Sequence, residues 1–201
     1  GQLKAINHHG LSGTQDPGND PDDFFGMSID YHNDDYLRSS VFSPTLGQGT
    51  GQFNGNIKGI SWKTDEASMQ TSQYLYHYNR NNWLTQADFS SPGTSSGDYD
   101  VSNISYDANG NIQSLRRKKN TASSNNAMDD LNYVYDLIRP NQLVRVQDFD
   151  GNVGVGDIGT QTGTNYQYNS IGQLTRNNGE DLGYAYNASG LVTEVYDLPT
   201  N

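Results

Sequence analysis

Of 201 residues only 32% are apolar, while 22 are Gly and 14 are Tyr; this excludes a thick aliphatic core and favours many short strands joined by many turns. Twelve Lys and Arg against 23 Asp and Glu leave a net charge of -11, which repels a phosphate backbone and an anionic membrane face, so nucleic acid is not an expected partner. The lack of cysteine removes disulfides and thiolate metal sites, and no apolar run approaches the roughly 18 residues of a membrane span.

The start Gly1-Gln2-Leu3-Lys4 carries no signal-peptide pattern and reads as a processed protein or an excised fragment. His8-His9, with Asp16, Asp20, Asp22 and Asp23 nearby, suggests a metal site. No second ligand pair at helical or hairpin spacing completes one, and the acidic stretch reads better as a solvated loop broken by Pro17, Gly18 and Pro21. Residues 1–73 form a degenerate β segment, with expected strands at 26–31, 36–42 and 56–62 and a hairpin turn at Asn54-Gly55-Asn56-Ile57. His32 and His77 are read as ordinary sheet positions.

A repeat emerges over 74–201. Counted from its second tyrosine it reads Tyr, Asp or Asn, two variable residues, Gly or Asn, one variable residue, then an aliphatic residue. Four copies fit without a gap: Tyr78 to Asn82 and Leu84; Tyr106-Asp107 to Gly110 and Ile112; Tyr168 to Gly172 and Leu174; Tyr186 to Gly190 and Val192. A fifth, Tyr135-Asp136 to Asn141 and Leu143, carries two extra residues around Pro140. Each copy predicts a β-hairpin, near 74–87, 103–115, 132–146, 165–177 and 183–195. The Asp or Asn after the tyrosine bonds the backbone two residues on, and the later Gly or Asn supplies the positive φ that a tight turn needs.

Ahead of each turn, tyrosines alternate, as in Tyr74-Leu75-Tyr76-His77-Tyr78 and Tyr133-Val134-Tyr135, which places them on one strand face. A structural tyrosine ladder is expected in preference to a carbohydrate platform, because the tyrosines belong to the repeat itself. After the turn, apolar pairs three apart (Leu84 and Ala87, Ile112 and Leu115, Val192 and Val195) require either a bulge or burial of both faces. Loops at 90–98, 120–130 and 151–164 separate the hairpins, and residues 127–131 could supply one helical turn. The basic run Arg116-Arg117-Lys118-Lys119 reads as a solvated strand end or loop. Asp148, Asp150 and Asn152 place hard oxygen ligands around Gly151 in the manner of a calcium loop, but the twelfth position is Gly159 instead of Glu, so a hairpin turn is the favoured reading.

The unit Tyr106-Asp107-Ala108-Asn109-Gly110-Asn111-Ile112, with its weaker copies, resembles the YD repeat of the RHS family. Residues 25–31 and 53–60 are similar to the degenerate segment that accompanies such repeats in large exported proteins of gliding or surface-dwelling Bacteroidetes. The resemblance implies an all-β fold of antiparallel hairpin repeats stacked into a curved, twisted sheet that is part of a hollow shell, or cocoon. It implies one continuous structural unit within a larger secreted or cell-surface protein, whose partners are the remainder of that protein and an enclosed C-terminal effector. The family's Asp-Pro-x-Gly-Leu cleavage motif has no match here, so no cleavage residues carry over.

Nucleophile-elbow, zinc-protease, phosphate-loop and dinucleotide motifs are all missing from the sequence, so neither catalysis nor a cofactor is expected. The leading expectation is a non-catalytic scaffold segment. The alternative is a surface adhesin, or a motility- or secretion-associated module, that uses its inter-repeat loops to bind a glycan or an outer-membrane protein.

Overall fold

A computed structural model describes residues 2–11, 22–32, 49–66, 70–120, 127–150 and 158–199. Every regular element among them is a β-strand: β1 Ala5–Ile6, β2 Phe25–Asp30, β3 Gly59–Thr64, β4 Ser72–Tyr78, β5 Leu84–Ser90, β6 Val101–Tyr106, β7 Ile112–Lys118, β8 Ala127–Tyr135, β9 Leu143–Asp148, β10 Tyr166–Tyr168, β11 Leu174–Asn177, β12 Leu182–Tyr186 and β13 Val192–Asp197. Strands β1 to β9 form one sheet in chain order and β10 to β13 a second, also in chain order. The pairings with resolved register are antiparallel throughout. Within the tyrosine hairpins, chain-order pairing follows from short turns, which leave each strand its immediate neighbour as the nearest partner.

Two compact units divide the chain: residues 1–103 with 118–126, and residues 104–117 with 127–201. In the first, Ile29, Tyr31 and Ala87 are buried beside Ser28, Asp30, Lys58, Ser61, His8, His9 and Asp98. The second buries Ile104, Ala127, Leu131, Val146 and Leu198 beside Asp129, Asp148 and Asn165. Among the described residues, buried polar side chains outnumber apolar ones in the first unit, so hydrogen bonding there must carry a share of the cohesion that aliphatic packing carries in a thicker fold.

Several local expectations are revised. Residues 127–131 are not a helical turn but the start of β8, whose burial alternates along Ala127, Asp129 and Leu131 in the two-residue period of a strand with one face inward. The expected loop at 120–130 therefore ends at Ala127. The basic run is a strand end, as expected, since Arg116, Arg117 and Lys118 close β7, but it is not simply solvated. Arg117 Nε donates at 2.5 Å to Asp129 Oδ2, whose side chain has no exposed surface. The expected strand at 36–42 and most of the acidic stretch 16–23 fall outside the described residues.

The choice between a bulge and two buried faces is resolved in favour of a bulge. In β4–β5, His77 faces Gln86 but Tyr78 faces Leu84, which leaves Thr85 as the extra residue. The same shift recurs before Tyr135, Tyr168 and Tyr186. Thr85, Thr175 and Thr193 fill the bulge and donate their hydroxyls to the carbonyls of His77, Gln167 and Ala185 at 3.2, 3.1 and 3.3 Å. A bulge turns the following residues by one step, so that Leu84 and Ala87, three apart, can share a face.

Candidate functional site: the hairpin turns and a tyrosine latch

The turns are built alike from the residue after the second tyrosine. Asp107 Oδ1 accepts the Asn109 and Asn111 N–H groups at 2.9 Å each. Asn79 takes those of Asn81 and Trp83, Asn169 those of Ile171 and Gln173, and Asn187 those of Ser189 and Leu191, all between 2.9 and 3.1 Å. One side-chain oxygen thereby replaces two backbone acceptors that a tight turn cannot supply. Gly110, Gly172 and Gly190 hold φ of 87°, 88° and 79°, and Asn82 holds 62°.

Asp136 follows the same principle with different partners, accepting the Ile138 and Arg139 N–H groups at 2.8 and 2.7 Å. Asn141, however, is not among the residues with positive φ. Pro140 and the two added residues widen this turn, which then closes through Gln142 N–H to the Arg139 carbonyl at 2.8 Å. Asn141 instead faces its neighbour: its Oδ1 accepts Asn109 Nδ2 and Asn111 Nδ2, each at 3.0 Å. Adjacent turns are therefore bonded to each other. Asn56 Nδ2 reaches the Asn82 carbonyl at 3.3 Å in the same sense.

Both turn carboxylates are held below their ordinary range. The Asn111 side chain and turn N–H groups do this for Asp107, and the Arg139 and Ile138 N–H groups for Asp136.

In the hairpins of Tyr78, Tyr135, Tyr168 and Tyr186 the second tyrosine bonds to the hairpin before it. Tyr78 Oη donates to the Ile57 carbonyl at 2.7 Å, Tyr135 Oη to Ile112 at 2.8 Å and Tyr186 Oη to Leu174 at 2.7 Å. Tyr168 makes a hydrogen bond with the backbone of Leu143. The acceptors Ile112 and Leu174 open the preceding return strands β7 and β11, and Ile57 lies two residues ahead of β3. Burial raises the hydroxyl pKa of Tyr78, Tyr106, Tyr135 and Tyr168, and pushes Tyr76, which also neighbours Tyr78 and Tyr74, up to about 12. These phenols therefore remain protonated across the physiological range.

A further copy escapes the sequence pattern. Tyr31, just after β2, donates to the Leu3 carbonyl at 2.9 Å, while Ile57, two residues beyond Gly55 at φ 94°, is itself a latch acceptor. β2 and β3 are paired in full register from Phe25↔Thr64 to Asp30↔Gly59. This is the repeat's hairpin with twenty extra residues, since 23 lie between Tyr31 and Gly55 against three between Tyr106 and Gly110. The signal was the run Gly55-Asn56-Ile57, which duplicates Gly110-Asn111-Ile112.

Ring contacts concentrate in the first unit. Trp62 stacks on Tyr74 at 5.7 Å, Tyr74 on Tyr76 at 6.1 Å, and Phe89 meets Tyr74 and Tyr99 edge-on at 5.2 Å each. Here the expected ladder is a mixed aromatic cluster. Between hairpins, the tyrosines act through their hydroxyls as well as their rings.

The remaining candidate residues serve local structure. Asp148 Oδ1 accepts the N–H groups of Asp130 and Asp150 at 2.9 and 3.0 Å, and its carbonyl accepts the Thr160 hydroxyl; Asn152 lies outside the described residues. His8 and His9 pack ring against ring at 4.3 Å, with His9 Nδ1 3.1 Å from Ser28 Oγ. Burial, reinforced by His8, lowers His9 to about 4. A Cβ at Gly26 would lie 1.9 Å from the His8 carbonyl oxygen, so β2 admits only glycine where this segment crosses it. His32 stacks on Phe53 at 4.6 Å, and His77 Nε2 lies 2.8 Å from Asp88 Oδ2. Among the described residues no three His, Cys, Asp or Glu side chains are grouped to hold a metal ion, and no helix is long and apolar enough to cross a membrane.

Comparison with protein-family models gives no match, and comparison with curated proteins gives none either.

Proposed function

We propose that this chain is a non-catalytic scaffold segment of RHS/YD-repeat type, one stretch of the wall of a shell in a secreted or cell-surface bacterial protein. The observation that carries the reading is the recurrence of one hairpin design: a side-chain-capped turn, a bulge filled by threonine in three copies, and a tyrosine hydroxyl that bonds the hairpin to its predecessor. Groups spent on joining one repeat to the next suit a wall that gains its stability from nearest neighbours. The rest of the wall, and an effector enclosed by it, are the partners that this reading assigns. Electron microscopy of the natural secreted product tests it directly: a hollow closed particle is expected, and an extended or solid one refutes the shell.

A second reading, a binding module, draws on the loop between β5 and β6. Ser95 N–H donates to Asp98 Oδ2 at 2.9 Å, Phe89 N–H to Asp100 Oδ1 at 2.9 Å, and Tyr74 Oη to the Tyr99 carbonyl at 2.9 Å. A loop held this firmly beside a shallow depression lined by Thr71, Gln73, Ser90, Ser91 and Pro92 presents a fixed polar surface. Glycan-array binding that disappears when residues 91–97 are replaced by a short Gly/Ser turn supports this reading. An array without hits removes the glycan form of it.

A further inference from the structure

We propose that the β13 edge is a docking site for one more hairpin of the same tyrosine type, whose strand pairs with Val192–Asp197 and whose second tyrosine donates to the Val192 carbonyl. The proposal rests on the scaffold reading above and adds the chemistry of the partner.

Repeat equivalence identifies the site. Val195 stands three residues after Val192, as Ala87 stands after Leu84 and Val146 after Leu143. Ala87 and Val146 are each 4% exposed, whereas Val195 is 55% exposed. The difference tracks the chain that covers the strand edge next. Ala87 pairs with Val101 of β6, and Val146 exchanges bonds with Gln161, its N–H donating to Gln161 Oε1 at 2.8 Å while its carbonyl accepts the Gln161 N–H at 3.0 Å. All six residues of β13 are exposed, and Leu191, Val192 and Tyr196 leave apolar surface in water beside Val195.

The acceptor is in register too. Val192 lies two residues beyond Gly190 at φ 79°, the spacing that separates Ile57 from Gly55, Ile112 from Gly110 and Leu174 from Gly172, whose aliphatic carbonyls each take a tyrosine hydroxyl. An exposed strand that offers backbone groups, an apolar stripe and a latch acceptor in the repeat's own spacing fits another hairpin of this grammar. Charge selects against a second copy of the edge itself, since Glu194 and Asp197 would bring like charges together across two β13 strands. The preferred occupant is therefore a neutral or basic hairpin.

The chain supplies its own probe. A synthetic peptide of residues 162–178 contains Tyr166, Tyr168, Asn169, Gly172 and Leu174 with Arg176 as its one charged side chain. Titrated into the full chain, it should slow amide exchange at 192–197. A Tyr168→Phe peptide should bind about two- to tenfold more weakly, the worth of one hydrogen bond. V195D in the chain should abolish binding with circular dichroism unchanged. Fusing the same segment behind Asn201 through a flexible linker repeats the test at high effective concentration, so a weakly folding free peptide does not mask the result. Unprotected 192–197 amides in both formats, or binding indifferent to Tyr168→Phe, overturns the proposal. So does protection produced by concentrating the chain alone, which would make a second copy the occupant. Failure here with the internal latches intact leaves the scaffold reading standing; peptide binding with inert internal latches removes the scaffold reading instead.

Discussion

Replacing the second tyrosine of a hairpin by phenylalanine removes one oxygen, keeps the ring and asks directly whether the latch holds the sheet together. Tyr135 is the clearest site, because its hydroxyl spans 2.8 Å to a carbonyl on the preceding hairpin. A typical intramolecular hydrogen bond contributes about 0.5–1.5 kcal/mol net. Ile112 is only half-buried, so water can take over part of the carbonyl's demand and the expected cost of Tyr135→Phe is about 0.5–1 kcal/mol. For a chain of this size that corresponds to a Tm lower by about 1–4 °C. The triple variant Tyr78→Phe, Tyr135→Phe and Tyr186→Phe removes three separate latches and should cost about 1.5–3 kcal/mol, since distant sites add. The matched control replaces Tyr76, Tyr133 and Tyr184, the first tyrosines of the same hairpins, whose hydroxyls form no hydrogen bond among the described residues. It should leave the urea midpoint nearly unmoved. Equal destabilisation by the two triples, or none by either, would show that the rings alone matter and would refute the latch.

Four further outcomes follow from the same geometry. Because the folded pKa values of Asp107 and Asp136 lie below the ordinary 3.8, their contribution is present above that value and is lost as pH falls through the folded values. Asp107→Asn with Asp136→Asn, which copies the turns at Asn79, Asn169 and Asn187, should therefore flatten the acid limb of a stability-versus-pH curve; an unchanged limb counts against it. At the alkaline end the raised pKa of Tyr76, about 12, makes its contribution complete below pH 10 and lost as pH rises through the folded value, so unfolding and tyrosinate absorbance should rise together. Arg117→Ala strands the fully buried Asp129 carboxylate and should cost about 2–3 kcal/mol in urea unfolding, short of a fully buried pair because the Arg117 side chain keeps 38% exposure. Adding Asp129→Asn should restore part of the loss. Finally, Gly110→Ala, at φ 87°, should cost about 1–2 kcal/mol, whereas Asn82→Gly should be neutral or mildly stabilising.

What was legible in the sequence was whatever a turn decides locally. Tyr106-Asp107 followed by Gly110 fixes a hairpin because the carboxylate captures N–H groups two and four residues on, within the segment itself, and no distant partner is needed. The same locality explains the failure at Asn141: counting places it at the glycine position, but Pro140 and two added residues change the path of the turn and free Asn141 to bridge to Asn109 and Asn111. The β2–β3 hairpin was hidden because an insertion separates Tyr31 from Gly55, and only the latch bonds to Leu3 and from Tyr78 show that the two halves belong to one unit. Interior polar groups were the least legible. Asp129 beside Asp130 looks like a solvated acidic pair, yet the alternation of β8 turns one inward onto Arg117 and leaves the other half-exposed. A strand's two-residue period decides which of two adjacent carboxylates is buried, and the Ser- and Asn-rich run ahead of Ala127 hides the start of that period in the sequence. Turn chemistry therefore predicts where such a sheet folds back, while its cohesion depends on bonds between hairpins, which become readable once the repeat is aligned on its latch acceptor as well as on its tyrosine.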